Sequence, residues 1–202
     1  MVANPCLGVL GLKLKGGKPY EPWPWSMIEL VREVAPARLW EAAALALYTG
    51  QRRGDVLSMR WSDIESDQIQ VEQSKTGKRL WVPVHKDLRS ILKELPRTGE
   101  FVLRNDHGAP WTESAFKSAW RRLMDDERLG YIKTRRLVFH GLRKSAVVML
   151  LEAGCTDAEV AAITGQSRDM VEHYALAVNQ RRLAAAAILK WEGAGGHPDP
   201  AV

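Results

Sequence analysis

Four short segments of this chain hold residues whose types and spacing could perform phosphate chemistry. They are Thr49–Leu57, Gln73–Gly77, His140–Arg143 and Thr164–Gln166. The first and third carry the arginines Arg52 and Arg143, and the second carries Lys75. Tyr174 follows the fourth segment, nine positions after Gly165. Two guanidiniums, a lysine, a histidine and a tyrosine are the groups that a protein needs to cut a phosphodiester with its own side chains.

Each of these groups has a distinct chemical role in that interpretation. A guanidinium offers a planar fork of donors to nonbridging oxygens, so Arg52 and Arg143 suit the charge that develops on phosphorus. The hydroxyl of Tyr174 can attack and form a covalent phosphotyrosine. Its proton, with a pKa of about 10 in water, has an acceptor in His140, and Lys75 can protonate the leaving oxygen. The set therefore predicts cleavage without a metal ion or any other cofactor.

Taken alone, each residue also has an ordinary structural explanation. Arg52 and Asp55 could form a solvated ion pair on a helix, and Lys75 could be a charged turn residue. The basic third segment could simply begin a helix, and Tyr174 lies at helical spacing from Val171, as a half-buried core tyrosine would. Only the combination of the four segments favours the catalytic interpretation.

Composition limits the class of protein. The chain has 202 residues, enough for one domain with a buried core, and a formal net charge of +5. A mild basic excess permits a polyanionic partner. Cys6 and Cys155 lie far apart, which excludes a disulfide framework and a cysteine-rich zinc site. No apolar run approaches the roughly 20 residues that span a bilayer, and a cytoplasmic location is expected.

Hydrophobic periodicity predicts a mainly α-helical fold with a small antiparallel sheet, that is, an α+β domain. Ile69 and Val71, then Val82 and Val84, alternate with polar residues around a Lys75–Lys78 turn, which predicts a β-hairpin. A third strand is expected at residues 101–103. Helices are expected at residues 26–34, 37–48, 53–59, 86–95, 112–128, 142–152, 156–163, 169–177 and 180–191.

Glycines and prolines suggest the domain boundaries. Residues 1–25 hold Gly16, Gly17 and three prolines from Pro19 onward, and they are expected to form a linker or remnant before the domain. Residues 26–191 are expected to form one catalytic domain. Residues 192–202 are expected to form a disordered tail.

The four segments resemble the conserved boxes of the tyrosine recombinases, the phage integrase family. Thr49 to Asp55 matches a Thr-Gly-x-Arg-x-x-Glu/Asp box, in which the acidic residue is expected to orient Arg52. The lysine of the family lies in a β-hairpin, as Lys75 does. The His-x-x-Arg box is matched by the third segment, and the Leu-Gly-His…Tyr segment by Thr164-Gly165 and Tyr174.

Two departures from the family pattern concern the fourth segment. Gln166 stands where the family has histidine or sometimes tryptophan, and the interval from Gly165 to Tyr174 is one residue shorter than in the commonest pattern. A glutamine amide has two N–H donors, so Gln166 is expected to donate a hydrogen bond to a nonbridging oxygen in place of the histidine.

The resemblance implies the following activity and partners. The chain would be the catalytic domain of a site-specific recombinase or integrase that acts on double-stranded DNA, and a helical DNA-binding domain would precede it. Tyr174 would form a 3′-phosphotyrosine, and neither ATP nor metal would be needed. Four protomers would assemble on DNA at the nucleoid, and the apolar face of the last helix, including Leu183 and Trp191, would pack either on a neighbouring protomer or on its own domain.

Two other functions remain open at this point. Residues 151–175 also resemble a helix-turn-helix with Gly165 at the turn, which would suit a DNA-binding protein without enzymatic activity. A catalytically silent relative of the recombinases is the other alternative, suggested by Gln166.

Overall fold

The computed structural model describes residues 20–193, which form nine α-helices and three short β-strands. The helices are α1 (Trp25–Val34), α2 (Ala37–Thr49), α3 (Arg53–Leu57), α4 (Lys86–Glu94), α5 (Glu113–Met124), α6 (Gly130–Thr134), α7 (Phe139–Glu152), α8 (Asp157–Thr164) and α9 (Arg168–Gly193). The strands are β1 (Ile64–Glu65), β2 (Gln68–Glu72) and β3 (Arg79–Pro83). The predicted class, mainly α with a small antiparallel sheet, is confirmed.

Helix α2 forms the centre of the core. Every residue from Ala42 to Leu47 is buried, and a helix that is apolar on all sides is one that is enclosed by its neighbours. The helix ends at Gly50, which adopts a left-handed conformation with φ of 64°. A side chain at that position would also bring a Cβ within 2.8 Å of Thr164 Cγ2. The turn that leads to Arg52 is therefore packed against the end of α8.

The three strands form an antiparallel sheet in the order β1-β2-β3. Ile69 pairs with Val82, and Val71 pairs with Leu80, so the predicted β-hairpin is confirmed. The predicted strand at residues 101–103 is wrong, since Phe101 forms only an isolated bridge with Arg60. Val102 and Leu103 are apolar because they fill the core, and a short apolar run cannot by itself distinguish a strand from a buried loop.

Two helix predictions also need correction. Residues 169–177 and 180–191 belong to one continuous helix, α9, because the intervening Val178 and Asn179 include no glycine or proline that would break it. Helix α5 begins after the predicted cap, Thr112, but ends at Met124 rather than at residue 128. A 3₁₀ turn and α6 follow it, and α6 was not predicted from the sequence.

The described part of the predicted linker packs on α7. Trp23 is 2% exposed, its backbone N–H donates to Ser145 Oγ at 2.6 Å, and its indole N–H donates to the Val138 carbonyl at 2.8 Å. A Cβ on Gly141 would lie 2.6 Å from the Glu21 carbonyl oxygen, so this contact requires glycine there. Predictions for residues 1–19 and 194–202 lie outside the described residues. Among residues 20–193, no helix is long and apolar enough to cross a membrane.

Candidate active site

Arg143 lies in the first turns of α7 and is 3% exposed. Its Nη1 donates to the Gly50 carbonyl at 2.6 Å, at the end of α2 where helix carbonyls lack internal partners. Its Nη2 is buried and has no hydrogen-bond partner in the part of the chain that is described. Burial above all, and then the positive charge of Arg52, lower the pKa of Arg143 to about 10. A buried guanidinium with an unused donor is suited to bind an anion.

Arg52 lies in extended conformation immediately before α3. Its Nη1 donates to Gln73 Oε1 at 3.2 Å and lies 3.9 Å from Asp55 Oδ2. The other carboxylate oxygen of Asp55 accepts hydrogen bonds from the backbone and hydroxyl of Ser74, at 2.9 and 2.8 Å. Asp55 therefore pairs only loosely with Arg52, and its strongest contacts hold the base of the hairpin that carries Lys75.

His140 lies in the first turn of α7, with its ring partly covered by Tyr20 at a centroid distance of 6.1 Å. Partial burial lowers its pKa, and four nearby cations lower it further. The cations, largest effect first, are Arg143, Lys144, Arg52 and Lys75. These charges disfavour the imidazolium and so favour the neutral ring, which can accept a proton.

Lys75 lies in the turn between β2 and β3 and is exposed. Its ammonium has no hydrogen bond or ion pair with any described residue. Its charge nevertheless lowers the pKa of His140, which places it on the same side of the domain as the two arginines. A lysine without a partner among residues 20–193 has an ammonium that is available to contact an anion.

Tyr174 lies on α9, half-buried against a small cluster that includes Val147 and Leu151 of α7. The ammonium of Lys144 lies 5.5 Å from the centre of its ring. Within residues 20–193 the hydroxyl of Tyr174 makes no hydrogen bond with His140 or another residue. The same ammonium donates to the carbonyl of Tyr20, whose ring lies beside His140, so Lys144 contacts Tyr174 on one side and the surroundings of His140 on the other.

Gln166 lies in the turn between α8 and α9, and its side chain is half-buried. Its backbone N–H donates to Thr164 Oγ1 at 3.3 Å, while its amide has no hydrogen-bond partner among the described residues. Gly165, before it, has φ of 70° and ends α8 as the sequence predicted. The structure thus brings Arg52, Lys75, His140 and Arg143 together and leaves Gln166 and Tyr174 on the neighbouring turn and helix.

Three residues that the structure places in this site were not predicted from the sequence: Gln51, Gln73 and Lys144. A signal for one of them was available. Gln73 continues the buried phase of Ile69 and Val71, so a polar residue stands where the alternation of β2 calls for an apolar one. The basic residue after Arg143 offered no comparable signal, because surface lysines are common at helix positions.

In residues 20–193, no group of three or more His, Cys, Asp or Glu side chains is placed to hold a metal ion. The polar groups that converge here are cationic or neutral donors, apart from Asp55. Such a set complements an anion, and the predicted phosphodiester substrate is one.

Solved structures with a similar architecture define the class of protein. Residues 75–356 of lambda integrase, crystallised as a dimer bound to a COC′ core site, match 80% of this chain and 61% of that chain, with a TM-score of 0.63 and 27% identity. A lambda integrase tetramer bound to a Holliday junction matches 79% of this chain and 49% of that chain, with a TM-score of 0.62 and 25% identity. The fold is that of a tyrosine recombinase catalytic domain.

Sequence comparison agrees with the structural one. The profile of the phage integrase family matches residues 26–181. The shufflon-specific DNA recombinase of Escherichia coli is 33% identical over 136 residues, which are 64% of this chain and 32% of that protein. The chain belongs to the phage integrase family, as the resemblance predicted. It spans about a third of the length of this curated relative.

The helix-turn-helix alternative is not better supported. Helices α8 and α9 do turn about Gly165, but both pack on α7 through the cluster that contains Val160 and Val171. They form part of the domain that bears the arginines and do not stand apart from it.

Proposed function

We propose that this chain cuts and rejoins double-stranded DNA through a 3′-phosphotyrosine on Tyr174. The observation that carries the proposal is the buried guanidinium of Arg143. One of its nitrogens is fixed to the Gly50 carbonyl, and another, buried one has no hydrogen-bond partner within residues 20–193. Together with Arg52 it offers preorganised donors for the nonbridging oxygens of one phosphate, and such donors stabilise the charge of the transition state.

The bonds made and broken balance without a cofactor. The Tyr174 oxygen attacks phosphorus, the bond from phosphorus to the 5′ oxygen breaks, and a 3′-phosphotyrosine and a 5′ hydroxyl result. His140, neutral because its pKa is lowered, accepts the tyrosine proton. Lys75 donates a proton to the leaving 5′ oxygen, and Gln166 donates a hydrogen bond to a nonbridging oxygen. A 5′ hydroxyl from another strand reverses the steps and conserves the bond energy.

We further propose that protomers assemble on DNA as a tetramer, with the protein located in the cytoplasm at the nucleoid. Lambda integrase is seen as a tetramer on a Holliday junction. In this chain residues 180–193 are all exposed, although they include large apolar side chains. These are Leu183, Ile188, Leu189 and Trp191. A helix that leaves its apolar residues unburied in the monomer is suited to cover them against a neighbouring protomer.

A groove on the same domain fits as the receptor for that helix. Its volume is about 430 Å³, and its wall includes Leu47, Val84, Met149 and Ile163, with Trp25 at one side. The substitution Leu189→Asp is expected to weaken tetramer formation on paired DNA sites. Cleavage of a single site should continue. Sedimentation of the protein–DNA complex measures tetramer formation, and gel analysis measures cleavage. Unchanged assembly would contradict packing between protomers.

Trapping the covalent intermediate tests the proposed activity. The protein is incubated with duplex DNA nicked close to the cleavage position, so that the short 5′-hydroxyl strand diffuses away and rejoining fails. A protein–DNA adduct that survives denaturation is expected from the wild type. Tyr174→Phe should keep its fold and DNA affinity but form no adduct. An equal adduct yield from both proteins would show that another residue is the nucleophile, and no adduct from either would indicate a DNA-binding relative without activity.

A further inference from the structure

The side-chain amide of Gln73 makes four hydrogen bonds to three separate segments of the site. Its Oε1 accepts from Arg52 Nη1 at 3.2 Å and from Thr76 Oγ1 at 2.9 Å. Its Nε2 donates to Gln51 Oε1 at 2.7 Å and to the Thr164 carbonyl at 2.8 Å. Two donors and two acceptor positions are the full capacity of a primary amide, so the group is saturated.

The partners fix the orientation of this amide. A guanidinium can only donate and a backbone carbonyl can only accept, so Oε1 must face Arg52 and Nε2 must face Thr164. Gln73 is fully buried, where unpaired polar groups are costly and hydrogen bonds are strong. A rotated amide would leave both partners unsatisfied, and the arrangement therefore has a single low-energy geometry.

The turn that precedes α9 lies directly against the same amide. A Cβ on Gly165 would approach Gln73 Nε2 to 2.5 Å, so only glycine allows this contact. Lys78, at the other end of the hairpin turn, donates to the Gly165 carbonyl at 3.1 Å. Gln51 adds a bond from its Nε2 to the Ile163 carbonyl at 3.0 Å. The hairpin that carries Lys75 and the turn that carries Gln166 are thus joined at their bases.

We infer that Gln73 is a positioning residue that sets the mutual placement of Arg52, the Lys75 turn and the Gln166 turn. The inference rests on the proposed function, because it assigns Gln73 a role in that reaction. Its acceptor oxygen holds the guanidinium of Arg52 and anchors Thr76, the neighbour of the proposed acid. Its donor nitrogen holds the end of α8. Loss of the amide should misplace both Arg52, which is proposed to bind the phosphate, and Lys75, the proposed acid.

Three variants separate these contributions. Gln73→Met keeps a similar size and removes all four hydrogen bonds. Thr76→Val removes only the bond to the exposed turn, so it should fold even where the first variant is unstable. Gln68→Met is the matched control, since Gln68 is an exposed glutamine at the opposite end of β2.

Single-turnover cleavage is measured on ordinary DNA and on DNA with sulfur at the 5′ bridging position, where the leaving group needs no proton. Gln73→Met should cleave ordinary DNA about 10²-fold more slowly, because misplaced catalytic groups cost a reaction about that factor. It should also cleave the sulfur-substituted DNA slowly, because Arg52 is displaced as well. Thr76→Val should be about fivefold slower and should recover with sulfur. Gln68→Met should match the wild type on both. Full recovery of Gln73→Met with sulfur, or wild-type rates, would overturn the inference.

A measurement that needs no activity distinguishes failure of the inference from failure of the proposed function. Nuclear magnetic resonance reports the Arg52 Nε–H and the backbone amides of Thr76 and Gln166 in the free protein. All three signals should move in Gln73→Met, and they should stay in place in Gln68→Met. Unmoved signals would overturn the positioning role. Inactivity of the wild type on both DNAs, with these signals moved, would refute the proposed reaction and leave the placement of the segments intact.

Discussion

The groups of this site fall into two regions with opposite environments. The interior region comprises Gln51, Asp55, Gln73 and Arg143, all of which are buried and make at least one side-chain hydrogen bond to the backbone. The rim comprises Lys75, His140, Gln166 and Tyr174, which are exposed or half-buried. No hydrogen bond joins the side chains of these four to one another. Hydrogen bonds hold the geometry of the interior, whereas the four rim side chains are not fixed by bonds to one another.

This difference follows from what each region has to do. Donors that stabilise charge at a transition state are most effective when they are fixed beforehand in a water-excluded place, which burial provides. Groups that transfer protons or form a bond must reach an external polymer, so they have to lie at the surface. The comparison predicts that interior substitutions alter both stability and rate, and that rim substitutions alter rate alone.

The largest rate effect is expected at the rim. Lys75→Ala should cleave ordinary DNA about 10²–10⁴-fold more slowly, the range that a general acid contributes. Because the ammonium has no partner in the described residues, the melting temperature should stay within the error of the wild type. DNA with a 5′ bridging sulfur should restore the rate, since a thiolate leaves unprotonated. An equal defect on both substrates would assign Lys75 to phosphate contact.

Arg143→Lys tests the interior. A lysine can reach the Gly50 carbonyl but cannot supply the second donor of the guanidinium fork, so cleavage should fall about 10²–10³-fold. Stability should also fall, by about 1–3 kcal/mol, because a buried charged hydrogen bond is disturbed. Urea unfolding measures this loss. Arg89→Lys, at an exposed ion pair with Asp67, is the control and should change stability by less than about 0.5 kcal/mol. Normal cleavage by Arg143→Lys would contradict the proposed binding of the phosphate by the Arg143 guanidinium.

A smaller effect is expected at Gln166. Gln166→Ala should be slower by about tenfold, since it removes one donor. Its unfolding should be unchanged, because the Gln166 amide has no hydrogen-bond partner among the described residues. Gln166→His should be equal or slightly faster, because a charge-assisted bond is stronger than a neutral one. Single-turnover cleavage of suicide DNA compares the three proteins. If Gln166→Ala cleaves DNA as fast as the wild type, Gln166 does not contact the phosphate.

The smallest effect concerns the pKa of His140. Its free-protein value should lie below the ordinary value near 6.5, because burial and four cations disfavour the charged ring. Lys144→Gln removes one of those cations, so the pKa of His140 should rise. When the pH is lowered, the ring of this variant should therefore become protonated at a higher pH than in the wild type. Nuclear magnetic resonance titration of the ring measures the shift, with His140→Gln to assign the signal. A fall in the pKa would show that Lys144 acts on the ring by some route other than its charge.

The sequence predicted the local features of this protein well. Alternation predicted the hairpin, and glycines predicted the ends of α2 and α8, because both signals depend on residues close together in the chain. The order of the four segments identified the family. Errors arose where only distant contacts decide the structure, as for Val102 and Leu103, whose apolar character reflects core packing rather than a strand.

Which of the charged groups would be buried was decided only by the tertiary structure. Arg52, Arg143 and Lys75 looked equally polar in the sequence, yet one is enclosed at the end of α2 and another is free in a turn. Gln73 appeared as a neighbour of Lys75, and its role depends on Thr164, 91 positions away along the chain. Residue types determine which hydrogen bonds are possible, but the fold brings the partners together, and burial then makes those bonds strong enough to hold the site.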